Sequence, residues 1–235
     1  MTARKYENIH HRVTPSCRIM NHADVLRTVS DHVRSCSLGE ATGHDWWHVV
    51  RVAKLAKRIN DSAGGDGIRV ELTALLHDVF DEKFYDGDAS AALFDLIDQL
   101  GVRAALSNEE WDGIIFDILH LGFKGGFDQT PLSLEGQIVQ DADRLDAVGA
   151  IGIARAFAYG GAKGRELYNP DEGVVAVGTA AEYRNGSRHT INHFYEKLLL
   201  LRDRMNTSEG RAIAERRHKF MEEFLAEFYL EWDGE

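Results

Sequence analysis

Buried helices select against charged side chains, since an unpaired ion held away from water costs several kcal/mol. The sequence breaks that rule in three places. His48 lies on the apolar stripe that continues through Val52 and Leu55. The pair His77-Asp78 falls inside the most hydrophobic stretch, Ile68 to Phe80, and Asp141, Asp143 and Asp146 stand among Ile138, Val139, Leu145 and Val148. Asp143, one turn after Val139 and one before Ala147, is placed to face inward, with Asp141 and Asp146 pointing to other sides. Each group has an ordinary explanation on its own: a hydrogen-bonded core histidine, a structural His-Asp pair, an ion pair of Asp143 with Arg144. Together, two imidazoles and two carboxylates on three inward-facing helices can neutralise one another through a divalent cation.

The donor set narrows the ion. Closed structural zinc sites prefer thiolates, whereas two nitrogens and two oxygens suit Mn²⁺, Mg²⁺, Fe²⁺, Co²⁺ or Ni²⁺ in a six-coordinate site with positions left for water or substrate. Such an ion orients a phosphoryl group, neutralises its charge and acidifies a bound water. Asp81, four residues after His77, shares its face if the helix continues, and can polarise the attacking water or simply end the helix in solvent. Lys83 and Arg144 can neutralise phosphate oxygens or serve as ordinary surface charge. His44 and Asp45 can orient His48 or cap its helix, and His44 is counted with Lys83, Arg144 and Lys197 among the residues expected to meet substrate.

Helices must carry these residues, because helical periodicity dominates the chain and strict alternation is almost absent. Val25, Val29 and Val33 begin the pattern; Asp45, a good N-cap, precedes Val52, Leu55 and Ile59; and Gly64, Gly65 and Gly67 break the chain before a central helix from Ile68 to Phe80. Helices follow near Ala89 to Leu100 and Asn108 to Leu119, and a glycine-rich connection, Gly122 to Gly126, leads to one long helix from about Leu134 to Tyr159. The stretch Arg165 to Gly178, with Pro170 and Val174-Val175-Ala176-Val177, is a loop with room for a little extended structure. Two amphipathic helices close the chain, one with Ile191, Phe194, Leu198, Leu201 and Met205 on a face, the other capped near Ser208 with Ile213, Phe220, Phe224 and Phe228.

Composition agrees with a single all-α domain over residues 18–235 behind a flexible leader, 1–17. The chain has 235 residues with 44% hydrophobic content, and its net charge is 27 − 38 = −11. That apolar content excludes disorder, and no uncharged apolar run approaches the ~18 residues of a membrane span. Excess acid argues against a nucleic-acid coat, so a phosphorylated small-molecule substrate must be drawn by local charge, which a metal ion supplies. Two cysteines, Cys17 and Cys36, are too few for a disulfide scaffold and fit a reducing cytoplasm.

The blocks Gly43-His44-Asp45-Trp46-Trp47-His48, Leu75-Leu76-His77-Asp78-Val79 and Gln140-Asp141-Ala142-Asp143-Arg144-Leu145-Asp146-Ala147 resemble the HD superfamily of metal-dependent phosphohydrolases. The small stand-alone bacterial branch is similar from about Asn21 to Glu231, through the further blocks Gly149 to Arg155 and His193 to Leu198. The resemblance implies an all-helical HD-type bundle with the metal in its centre, ligands His48, His77, Asp78 and Asp143, and a lysine of the family pattern at Lys197. It also implies hydrolysis of phosphate esters or anhydrides, nucleotides among them, including release of pyrophosphate from nucleoside triphosphates. Two-metal members add two histidines between the His-Asp pair and the last aspartate. Here only His120 lies in that interval, so one divalent ion is expected. Two other classes stay open: an iron-dependent oxygenase on the same fold, and a catalytically silent, metal-stabilised binding module. Either a monomer or a homodimer is compatible with the sequence.

Overall fold

A computed structural model of the chain describes residues 20–37, 45–80, 85–123, 130–173 and 189–235. Helices α1 (His22–Cys36), α2 (Trp46–Ala63) and α3 (Gly67–Leu76) come first, followed by α4 (Ala89–Gln99), a 3₁₀ turn (Arg103–Ala105) and α5 (Asn108–His120). Then come α6 (Leu134–Asp146), α7 (Gly149–Ala162), α8 (Asn192–Glu196), a 3₁₀ segment (Leu198–Arg204) and α9 (Ser208–Asp233). No strand occurs among the described residues, where extended pairing is limited to a bridge between Glu166 and His189. The fold is all-α, as the periodicity indicates.

Side-chain caps start most of these helices. Asn21, Asp45, Asp66, Asp88, Ser107, Ser133 and Thr207 each accept a backbone N–H of the first turn, satisfying donors that have no intrahelical partner. Gly64 ends α2 at φ 78°, a conformation that costs any residue with a Cβ. Two apolar clusters meet across α2 and α3. Val52, Ala56, Ile59, Val70 and Ala74 pack with Ile138, Leu145, Phe194 and Met221, while Val49, Leu72 and Leu76 pack with Val25, Val29, Leu93, Ile97 and Trp111. A helix as short as α3 is marginal by itself in water. Burial on both flanks, worth about 1.5–3 kcal/mol for each large apolar side chain, is what holds it.

Four sequence expectations require correction. The central helix stops at Leu76, and residues 77–80 form a turn. The long helix is two: α6 ends at Asp146, Val148 is extended, and α7 begins at Gly149, whose φ of 79° turns the chain. Apolar periodicity runs straight through this break and so conceals it. The first closing helix is also divided, because Lys197 at φ −139° and ψ −62° leaves the helical region and the chain continues as 3₁₀. Its face is buried as expected, with Ile191, Phe194, Leu198, Leu201 and Met205 all in the core. On α9 Ile213 is buried and Phe224 and Phe228 pack against the core as expected, but Phe220 is 47% exposed and Met221 and Leu225 take the buried positions instead.

The Val174 to Val177 run and the leader lie outside the described residues. No described helix is long and apolar enough to cross a membrane.

Candidate metal centre

Asp45 does more than cap α2, because its carboxylate accepts the backbone N–H of His48 itself at 2.9 Å. The helix start and the position of the first histidine are therefore one feature. His77 is placed by the end of α3: its Nδ1 lies 2.8 Å from the Ala74 carbonyl, which only accepts, so Nδ1 donates and Nε2 carries the lone pair. His48 is oriented in the same sense, with Nδ1 2.7 Å from a carboxylate oxygen of Asp146. Both imidazoles thus turn their Nε2 atoms inward, 3.2 Å apart.

Two lone pairs aimed at each other from that distance repel unless a proton or a cation lies between them. Carboxylates surround the same point. Asp78 Oδ2 is 3.6 Å from His48 Nε2, Asp78 Oδ1 is 4.0 Å from His77 Nε2, and Asp143 Oδ1 is 3.5 and 3.9 Å from the two nitrogens. Donors about 2.1 Å from an octahedral ion stand about 3.0 Å apart when adjacent and about 4.2 Å apart when opposite. The separations here fall between those limits. His48, His77 and Asp78 present ligand atoms within 4.8 Å of one another, so a divalent ion fits the side chains present.

Burial divides the aspartates of α6 differently from the sequence expectation. Asp141 and Asp146 are fully buried, whereas the Asp143 side chain is 36% exposed at the open side of the cluster. Each buried carboxylate has a structural task. Asp141 accepts from the Asn206 and Thr207 backbone N–H groups and from the Thr207 hydroxyl, which ties α6 to the start of α9. Asp146 receives His48, Arg51 through Nε at 2.7 Å and Nη2 at 3.0 Å, and Arg155 through Nη1 at 2.8 Å. Burial would raise the pKa of Asp146, yet the bonds from His48 and Arg51 and the charge of Arg155 hold it well below the ordinary carboxylate range. Burial likewise opposes ionisation of Asp143, and the facing His77 and His48 reverse it.

The remaining residues singled out in the sequence are distributed as follows. Asp81, Lys83 and His44 lie outside the described residues. The helix that was to carry His77 onward ends at Leu76, and residues 77–80 form a turn. Arg144 is half-buried and donates through Nη1 to the Arg204 carbonyl, and burial lowers its pKa. Lys197 Nζ lies 5.4 Å from the centre of the Phe123 ring. His120 is engaged at the end of α5, where its Nδ1 donates to the Phe116 carbonyl at 2.7 Å.

Sequence reasoning missed Arg51, Arg155 and the role of Asp146. A second carboxylate close to a ligand, together with an arginine in the Gly149 to Arg155 block, was the signal available.

Comparison with known proteins finds relatives over nearly the whole chain. The HD domain family profile matches residues 46–148. The Bacillus subtilis protein YpgQ is 40% identical over 217 residues, covering 92% of this chain and 96% of YpgQ. A crystal structure from Lactobacillus plantarum superposes with a TM-score of 0.77 at 37% identity, covering 89% of this chain and 97% of that one. An HD-superfamily hydrolase from Bacillus thuringiensis gives 0.69 at 37% identity, covering 91% and 100%. YpgQ has been crystallised in complex with ADP.

Proposed function

The chain belongs to the HD domain family, and on that premise we propose that it is a metal-dependent phosphohydrolase cleaving ester or anhydride bonds of nucleotides. Hydrolysis of a nucleoside triphosphate to the monophosphate and pyrophosphate is the form of the reaction to test first. The pair of inward-turned Nε2 atoms 3.2 Å apart, ringed by Asp78 and Asp143, carries this proposal, because it is an arrangement that a cation stabilises. A nucleotide substrate draws support from the ADP bound by YpgQ.

A single divalent ion, Mn²⁺, Mg²⁺, Fe²⁺, Co²⁺ or Ni²⁺, held by His48, His77, Asp78 and Asp143, would neutralise phosphoryl charge and acidify a water. The protein's own groups have separate tasks in this scheme. Asp146 keeps the His48 Nδ1 proton in place, so that Nε2 stays available as a donor atom. Asp81 orients the attacking water and accepts its proton on a carboxylate oxygen. Lys83, Arg144, Lys197 and His44 meet the substrate, the cations neutralising phosphate oxygens on a chain whose net charge is −11. The test is a nucleotide panel assayed on metal-stripped, Mn²⁺-reconstituted protein, with phosphate and pyrophosphate detected separately. Turnover that depends on added metal is the expected result, and no hydrolysis of any nucleotide by metal-loaded protein refutes the proposal.

A further inference from the structure

The last turn of α5 carries an aromatic pair. Phe116 is 45% exposed, and the His120 ring lies beside it with centroids 4.4 Å apart and planes inclined by 33°. His120 Nδ1 donates to the Phe116 carbonyl at 2.7 Å, so the imidazole is fixed and its Nε2 carries the lone pair. Among the described residues nothing bonds that Nε2. A single exposed ring needs no explanation. Here the backbone holds two rings together and sets an acceptor atom beside an apolar face.

The register between helices places this pair. Between α3 and α6, Arg69 faces Glu135 at 3.6 Å, and equally far along both segments His77 faces Asp143 at 3.9 Å. Between α5 and α6, Gly136 presses on the Asp117 carboxylate, and one turn later Gln140 Nε2 donates to the Leu121 carbonyl at 3.2 Å. All three helices therefore run in the same direction, and the C-terminal end of α5 lies at the level of the metal ligands. Measured back along α6 from Asp143, His120 stands about one turn away and Phe116 about one turn further. Asp143 is itself at the open side of the cluster, with 36% of its side chain exposed.

A nucleotide has the same order, because its phosphate, sugar and base follow one another at spacings close to one helical turn, about 5.4 Å. We propose that Phe116 and His120 form the nucleoside end of the site, Phe116 stacking on the base and His120 Nε2 accepting a hydrogen bond from a ribose hydroxyl. The class of ligand rests on the nucleotide reading given above. Every base has a π-face, so a platform of this kind tolerates different bases while the metal centre takes the phosphates.

The test is isothermal titration of the Mn²⁺-loaded full chain with three probes: α,β-methylene-ADP, its 2′,3′-dideoxy form, and methylenediphosphonate, which has neither sugar nor base. Phe116→Ala should weaken binding of the ADP analogue about tenfold, the scale of a lost base–aromatic stack. The wild type should prefer the ribose form over the dideoxy form about fivefold, and His120→Phe, which keeps a ring but no acceptor, should abolish that preference. Diphosphonate affinity and metal content should stay unchanged in both variants, so a lost nucleoside contact is read apart from a damaged metal centre. Wild-type affinity for the ADP analogue in Phe116→Ala overturns the proposal, as does a ribose preference that the wild type lacks or that survives in His120→Phe. No turnover is needed for these readings, so failure of the nucleoside site and failure of nucleotide hydrolysis are separate results.

Discussion

Replacing Asp146 by Asn removes one charge from a junction that His48, Arg51 and Arg155 share. The carboxylate is 2% exposed and accepts four bonds, one on Oδ1 from Arg51 Nε and three on Oδ2. An asparagine has one acceptor oxygen. Whichever way its amide is turned, the NH₂ faces a donor: Arg51 Nε in one orientation, His48 Nδ1 and both guanidiniums in the other. Breaking a buried charge pair by removing one partner costs about 3–5 kcal/mol. Arg51 is 33% exposed and its charge is partly screened, and the asparagine oxygen keeps some of the bonds, so about 2–3 kcal/mol is expected for this substitution.

For a chain of this size that corresponds to a fall of ~4–6 °C in Tm. Metal affinity should drop about 10- to 100-fold as His48 loses the group that fixes its ring. Thermal melts in chelator read the first effect, and calorimetric titration with Mn²⁺ reads the second. A variant that binds Mn²⁺ within about twofold of wild type would show that packing alone orients His48 and that Asp146 merely neutralises the two arginines.

Three further predictions concern other links of the argument. His77→Ala or Asp143→Ala should lose the bound metal and melt earlier, since the remaining buried groups go unpaired; metal analysis showing stoichiometric retention in both contradicts the ligand set, and two ions per wild-type chain contradict a mononuclear centre. Gly152→Ala should destabilise the junction of α6 and α7, because its Cβ would fall 2.2 Å from the Ala147 carbonyl oxygen, which is backbone and cannot swing away; a cost of at least ~1–3 kcal/mol is expected in denaturant melts, with weakened metal binding through the displaced Arg155. Asp81→Asn should keep metal and fold while losing about 10²–10⁴ in turnover at neutral pH, and near wild-type turnover in the metal-loaded protein would assign proton acceptance elsewhere.

Local patterns in the sequence located most of the helices and singled out four candidate ligands. Val25, Val29 and Val33 recur at the helical period, Asp45 carries an N-cap's chemistry, and His48, His77, Asp78 and Asp143 stand out because charge is unfavourable where their neighbours are apolar. Each of these signals spans a few residues, so it survives without knowledge of the fold. Tertiary structure decided what those signals could not contain. Asp146 meets His48 across 98 residues, and Asp141 meets Asn206 across 65; neither pairing leaves a trace in local periodicity, which is why Asp143 looked like the most inward of the three and is in fact the most exposed.

The break before α7 has the same origin. Apolar spacing is preserved through Ala147 and Val148, and only the left-handed backbone at Gly149, with α7 leaving in a new direction, brings Arg155 back to Asp146. Periodicity records which side of a helix is buried. Where a chain turns, and which distant donor then satisfies a buried carboxylate, is decided by the packing of whole elements, because a polar group hidden from water is stable only once that partner has arrived.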